Sequence, residues 1–176
     1  MQNTIERQTV APEHTAVVAF TCGFNEIAAH IGPVFGEVMA YLGPLGAIDG
    51  TARAFACYRP AGEQVHVEAG FTVHAPITGQ GRVQPGELPG GEAIVTIHEG
   101  PYNTVERAYA AMQEWLTANG ETGSETMWEY YLTPPDATPP PLRILVADDE
   151  ESMRHFVQRG LTRLGHTVDA VADGDA

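Results

Sequence analysis

The chain has 176 residues, 43% of them hydrophobic, and a formal net charge of -14 from nine basic and twenty-three acidic residues. That length holds one large domain, or one domain and a fragment, and the apolar content excludes wholesale disorder. There is no lysine and no basic cluster, so the counterion-displacing patch that duplex binding requires is missing and no direct nucleic-acid partner is expected.

Two cysteines, Cys22 and Cys57, are too few for a disulfide framework or a four-ligand zinc site. The N-terminal MQNTIERQTVAPEHT lacks the pattern of a secretory leader, and no apolar stretch approaches the roughly 20 residues of a membrane span. A cytoplasmic protein without a membrane partner is expected.

In chain order, residues 17–20 form a short β-like run, and we place the first strand near residue 15, too early for a helix-turn-helix before it. A helix follows from about residue 25. Its apolar residues Ile27, Ile31, Phe35, Val38 and Leu42 step by four, four, three and four along one face. Gly32-Pro33 interrupts it, so the helix either kinks there or begins its regular part at Pro33. GPLG at 43–46 ends it. Residues 52–60 read as a strand. Residues 64–74 alternate with Val65, Val67, Phe71 and Val73 on one face and His66, Glu68, Thr72 and His74 on the other. The turn-forming PGELPGG leads to a strand in EAIVTIHEG. A second helix is predicted from Asn103, with Glu106 completing a variant capping box and Asn119-Gly120 stopping it. Val105, Tyr109, Met112 and Leu116 line its apolar face. A last strand covers 127–133.

An offset of 74 aligns Phe35–Leu42 with Tyr109–Leu116, Gly46 with Gly120 and Pro60 with Pro134. A rival offset of 68 pairs His30-x-Gly-Pro with His98-x-Gly-Pro but breaks the helix ends. Residues 133–142, TPPDATPPPL, hold five of the thirteen prolines and read as a semi-rigid linker. The chain is therefore divided into a domain at 1–132, a linker at 133–142 and a segment at 143–176. This predicts that a chain ending near Pro135 keeps the stability of the first domain.

His98-Glu-Gly-Pro-Tyr102, the helix after it and Trp128-Glu-Tyr-Tyr-Leu-Thr-Pro134 together resemble the gyrase-inhibitor-like (GyrI-like) small-molecule-binding domain over about residues 10–135. The same domain serves as effector domain in multidrug-sensing bacterial transcription activators. The resemblance implies an α+β fold of tandem β-α-β-β repeats, with helices on one sheet face and a ligand cleft between the halves. It also implies a ligand-binding glutamate in an E-x-Y pattern, here Glu129-x-Tyr131. Strand parity puts Met127, Glu129 and Tyr131 on one face and Trp128, Tyr130 and Leu132 on the other, which we expect to pack on the helices. Through the repeat, Glu129 corresponds to Phe55, so the expected site is Glu129, Tyr131, Phe55 and Tyr102. Lipophilic cations are the expected ligands, bound without catalysis. The alternatives are a hydrolase of cyclopropane-type electrophiles with Glu129 as general base, or a protein partner such as gyrase. No cofactor is expected in this domain. His66 and His74 lie too far apart along one strand for one metal ion, and His98 is expected to stabilise a turn.

From Arg143, RILVADDEESMRHFVQRGLTRLGHTVDAVADGDA resembles the opening of a response-regulator receiver, the phosphorelay module of two-component systems. The resemblance implies that Asp148 and Asp149 would hold Mg²⁺ beside a phosphoacceptor on a third strand. The sequence ends before that strand, so an incomplete receiver unable to take phosphate is expected, with a signalling protein as a further partner.

Overall fold

The computed structural model describes residues 4–101, 104–124 and 126–132, together with the backbone of 141–147. Eight strands and two helices follow one another as β1 (Ile5–Val10), β2 (Glu13–Cys22), α1 (Ile27–Leu45), β3 (Ala54–Ala61), β4 (Gln64–Thr72), β5 (Gln84–Leu88), β6 (Gly91–Glu99), α2 (Glu106–Ala118), β7 (Met127–Tyr131) and β8 (Pro141–Ala147). A short 3₁₀ turn, Phe24–Glu26, precedes α1. The fold is mixed α+β.

Among the described residues all eight strands join one sheet in the order β1-β6-β8-β7-β3-β4-β2-β5, and every pairing is antiparallel. The two halves are alike. In β2-α1-β3-β4 the last strand sits between the other two, and in β6-α2-β7-β8 it does so again. The edge strands are exchanged, since β1 borders the second half and β5 the first. The 74-residue offset survives in the helices: Val34, Val38 and Leu42 are buried in α1, and Ala108, Met112 and Leu116 in α2. Both helices end at a glycine with positive φ, 61° at Gly46 and 68° at Gly120, a conformation that a Cβ would strain.

The sheet cannot be flat. Only Ala11 and Pro12 separate β1 from β2, yet the two strands lie six positions apart in the sheet. Six spacings come to roughly 29 Å, whereas three residue steps reach about 11 Å. The sheet must therefore curl until its ends approach, and Pro89-Gly90 imposes the same constraint between β5 and β6. The packing agrees, because Val10 of β1 and Leu88 of β5 share a cluster with Trp128 and Tyr130 of the central β7. Both sheet faces are thus buried: one beneath the helices, with Val38, Leu42, Met112, Leu116 and Met127, and one inside the curl.

Several expectations are corrected. α1 runs unbroken through Pro33 and Pro44, ending at the predicted glycine. α2 starts at Glu106 after Val105, without a side-chain cap, and Asn103 lies outside the described residues. β1 precedes the strand taken as first, and part of PGELPGG is strand β5 rather than turn. The main correction concerns 141–147, assigned to the linker and the receiver. That segment is β8, paired with β6 on one side and β7 on the other. Both of its edges are occupied, so it is not an edge-open first strand of a parallel β-α-β unit. Asp148, Asp149 and the sequence after them lie outside the described residues, as do residues 133–140 of the expected linker.

Gly70 marks the tightest approach in the sheet. A Cβ there would lie 1.9 Å from the Ala16 carbonyl oxygen, which is backbone and cannot swing aside. Gly70→Ala is expected to cost about 1–3 kcal/mol, read as a lower thermal midpoint. An unchanged midpoint would show that β2 and β4 separate freely at that point.

Candidate functional site

Glu129 is the middle residue of β7, where its register partners are Ala56 of β3 and Ile144 of β8. It faces the helices, since Tyr109 of α2 donates a hydrogen bond to its Oε1 at 2.5 Å. Tyr131, two residues along the same strand, donates to Oε2 at 3.0 Å. Tyr58 of β3 lies 3.4 Å from Oε2 but 2.8 Å from the Tyr131 hydroxyl. Each hydroxyl has one proton, so Tyr58 is better placed to donate to Tyr131, which passes its own proton interaction to the carboxylate. Ala56 beneath Glu129 is too small to contest this space. Phe35 of α1 packs edge-on against Tyr131 at 5.5 Å and against Phe71 at 5.6 Å.

Glu129 is 7% exposed. Burial raises its pKa above the usual value, opposed by the three tyrosine hydroxyls and by His98. Burial, followed by the charge of Glu129, also pushes Tyr58, Tyr109 and Tyr131 well above the ordinary phenol range, so they remain neutral donors. None of the ion pairs among the described residues includes Glu129. Among the described residues the carboxylate is therefore held by hydroxyl donors and takes part in no salt bridge.

A stability consequence follows. An acid whose folded pKa is raised binds its proton more tightly in the folded state. Its contribution is therefore most favourable below the unfolded value and worsens as pH rises through the folded one. Glu129→Gln removes that dependence. The variant is expected to gain on the order of 1 kcal/mol over wild type at pH 8, and little at pH 4. Denaturant midpoints at the two pH values check this; an equal difference at both would show that Glu129 does not titrate abnormally.

The structure brings two of the expected site residues together and separates a third from them. Glu129 and Tyr131 share the helix-facing side, but the face assignment is reversed: Trp128 and Tyr130 lie inside the curl, and Leu132 is exposed. Phe55 is not part of the site. It pairs with Tyr130 and packs with Cys57 and Trp128 on the opposite face. The residues that β3 turns toward Glu129 are Ala56 and Tyr58, because the β3–β7 register is one step away from what the 74-residue offset implies. Tyr102 lies outside the described residues. Tyr58, Tyr109 and Phe35 were missed, although Phe35 and Tyr109 are equivalent under the offset and both reach the network.

His98 bonds to its turn, with Nε2 3.1 Å from Thr104 Oγ1 and 3.3 Å from the Pro101 carbonyl oxygen. Among the described residues no group of three His, Cys, Asp or Glu could hold a metal ion. Cys22 and Cys57 are buried free thiols, and burial pushes Cys57 up to about 12. Burial dominates at both, raising each thiol although Arg59 acts the other way on Cys57. A separate depression of about 410 Å³, lined by Glu13, Arg53, His74 and neighbouring residues, shares no residue with the Glu129 network. Among the described residues no helix is long and apolar enough to cross a membrane.

Comparison with known proteins gives three results. The model of the family described as "GyrI-like small molecule binding domain" matches residues 4–145, which take in the first five residues of β8. Comparison with curated proteins finds no match. Among solved structures, the EcmrR C-terminal domain superposes with a TM-score of 0.67 at 20% identity, covering 86% of this chain and 100% of that one. SAV2435 bound to tetraphenylphosphonium gives 0.60 at 10% identity, covering 88% and 99%. A hydrolase from Listeria innocua gives 0.57 at 13% identity, covering 81% and 90%. At these identities the likenesses show a shared fold.

Proposed function

Because the chain belongs to the GyrI-like small-molecule-binding domain family, we propose that it binds lipophilic organic cations at Glu129, as a sensing or sequestering module and not as an enzyme. One observation carries the reading: Glu129 is buried among aromatic rings and hydroxyl donors, with no ion pair among the described residues. An uncompensated carboxylate in such surroundings is costly, and a cation offsets that cost directly. Tyr58, Tyr109 and Tyr131 meet it, with Phe35 packed on Tyr131, and each well-placed ring adds about 0.5–2 kcal/mol to a cation. That SAV2435 shares this fold and is seen with tetraphenylphosphonium supports the choice of ligand class. We read the receiver-like sequence after β8 as the module that such a sensor would address.

Two ions of one shape and opposite charge test the proposal. At pH 8, calorimetric titration is expected to show tetraphenylphosphonium binding at least about tenfold more tightly than tetraphenylborate, a difference of about 1.4 kcal/mol. The phosphonium affinity should also fall on acidification, starting above the range of an ordinary carboxylate, as Glu129 takes up its proton. Equal binding of the two ions would overturn the reading. A hydrolase reading is favoured by one observation only, the raised pKa of Glu129, which suits a general base. Steady turnover of a strained electrophile, lost in Glu129→Gln, would establish it instead.

A further inference from the structure

His98 is a buried titratable residue that the cation reading does not use; it is 5% exposed and sits near the end of β6. Its Nε2 lies 3.1 Å from Thr104 Oγ1 and 3.3 Å from the Pro101 carbonyl oxygen. The Thr104 hydroxyl donates its single proton to that same carbonyl at 2.8 Å. The imidazole must then supply the remaining hydrogen, so Nε2 is the protonated nitrogen. The Thr104 backbone N–H donates to Pro101 as well, at 3.0 Å. These bonds fasten the turn before α2 to the end of β6.

Tyr109 follows Thr104 by five residues, within the first turns of α2. Only Val105 separates Thr104 from the start of α2, and the helix is stiff from Glu106 onward, advancing about 1.5 Å per residue. Where Thr104 is held therefore decides where the Tyr109 hydroxyl falls, and it falls 2.5 Å from Glu129 Oε1.

We propose that His98 and Thr104 are positioning residues that hold the Tyr109 hydroxyl on Glu129 and so set the affinity of the cation site. The inference rests on the cation-binding reading. Tyr109 holds the carboxylate, and a ligand must share or displace it. Loosening the latch weakens this internal competitor and tightens cation binding.

Thr104→Val keeps the side-chain shape and deletes the hydroxyl, whereas Thr104→Ser keeps the hydroxyl. With tetraphenylphosphonium as probe, Thr104→Val is expected to bind two- to fivefold more tightly than wild type, and Thr104→Ser like wild type. Tyr109→Phe, which keeps the ring and removes the proton donor, should tighten binding at least as much. Adding Thr104→Val to Tyr109→Phe should then change nothing further, since both act through one contact. An equal effect of Thr104→Val in both backgrounds, or none in either, overturns the latch.

A second readout needs no ligand. Amide hydrogen exchange at the start of α2 should speed up in Thr104→Val and return to wild-type rates in Thr104→Ser, with α1 unaffected. Unchanged exchange overturns the latch even if affinity moves. If wild type fails to bind the phosphonium while α2 responds as expected, the cation reading fails and the anchoring of α2 stands.

Discussion

A chain ending at Leu132 is expected to lose cooperative folding, whereas one ending at Ala147 keeps it. The shorter chain lacks β8, which lies between β6 and β7 and pairs with residues 93–99 of one and 127–131 of the other. Without it the half containing β1 and β6 has no backbone partner to the rest of the sheet. The ladder groups of two central strands would then open to one another across a gap about 9–10 Å wide, two strand spacings. Each lost net hydrogen bond costs about 1 kcal/mol. The sum over two ladders rivals the whole stability of a domain, roughly 5–15 kcal/mol. Thermal melting by circular dichroism separates the cases. A cooperative transition at the same temperature in both chains would show that β8 is dispensable, which is what the linker reading of 133–142 predicts.

Glu129→Gln is expected to weaken tetraphenylphosphonium binding by about 1–3 kcal/mol, the scale of a contact to a charged group. That corresponds to roughly a 5- to 150-fold rise in Kd. Glutamine preserves the volume and keeps one acceptor oxygen, while its amide donates to the hydroxyl on the other side, so a loss reports charge rather than shape. The same substitution should stabilise the unliganded protein at pH 8, because it removes a buried carboxylate that burial disfavours. Weaker binding with greater stability is the joint signature of a site held in a costly state for its ligand. Unaltered affinity in fluorescence titration would remove Glu129 from the site, whatever the stability showed.

The fold was legible where periodicity carries the information. The faces of α1 and α2, their glycine stops and the 74-residue relation between them follow from apolar spacing: Val38, Leu42, Met112 and Leu116 are buried as expected, and the structure adds Val34 and Ala108, themselves 74 apart. The same relation contained β8. Adding 74 to the bounds of β4, Gln64–Thr72, gives 138–146, within a few residues of Pro141–Ala147. The proline run before it and the receiver-like run after it obscured this, because an apolar strand reads the same whichever sheet it joins. β1 was missed since IERQTV has only its end residues apolar; it is an edge strand held chiefly by its backbone pairing with β6.

For the site, the sequence alone determined that Glu129 and Tyr131 share a face, because a strand alternates with a period of two whatever surrounds it. It could not decide which face meets the helices. Parity labels two sides without naming them, and the usual clue, one apolar and one polar side, is absent where a curled sheet buries both. Nor could it pair Glu129 with Tyr58 in place of Phe55. That choice depends on the β3–β7 register, where one step exchanges every side chain for its neighbour on the other face. Tertiary structure alone closed the network, bringing Tyr58, Tyr109 and Tyr131 onto one carboxylate from two strands and a helix up to 73 residues apart. Local sequence sets periodicity; only the packed sheet sets which periods meet.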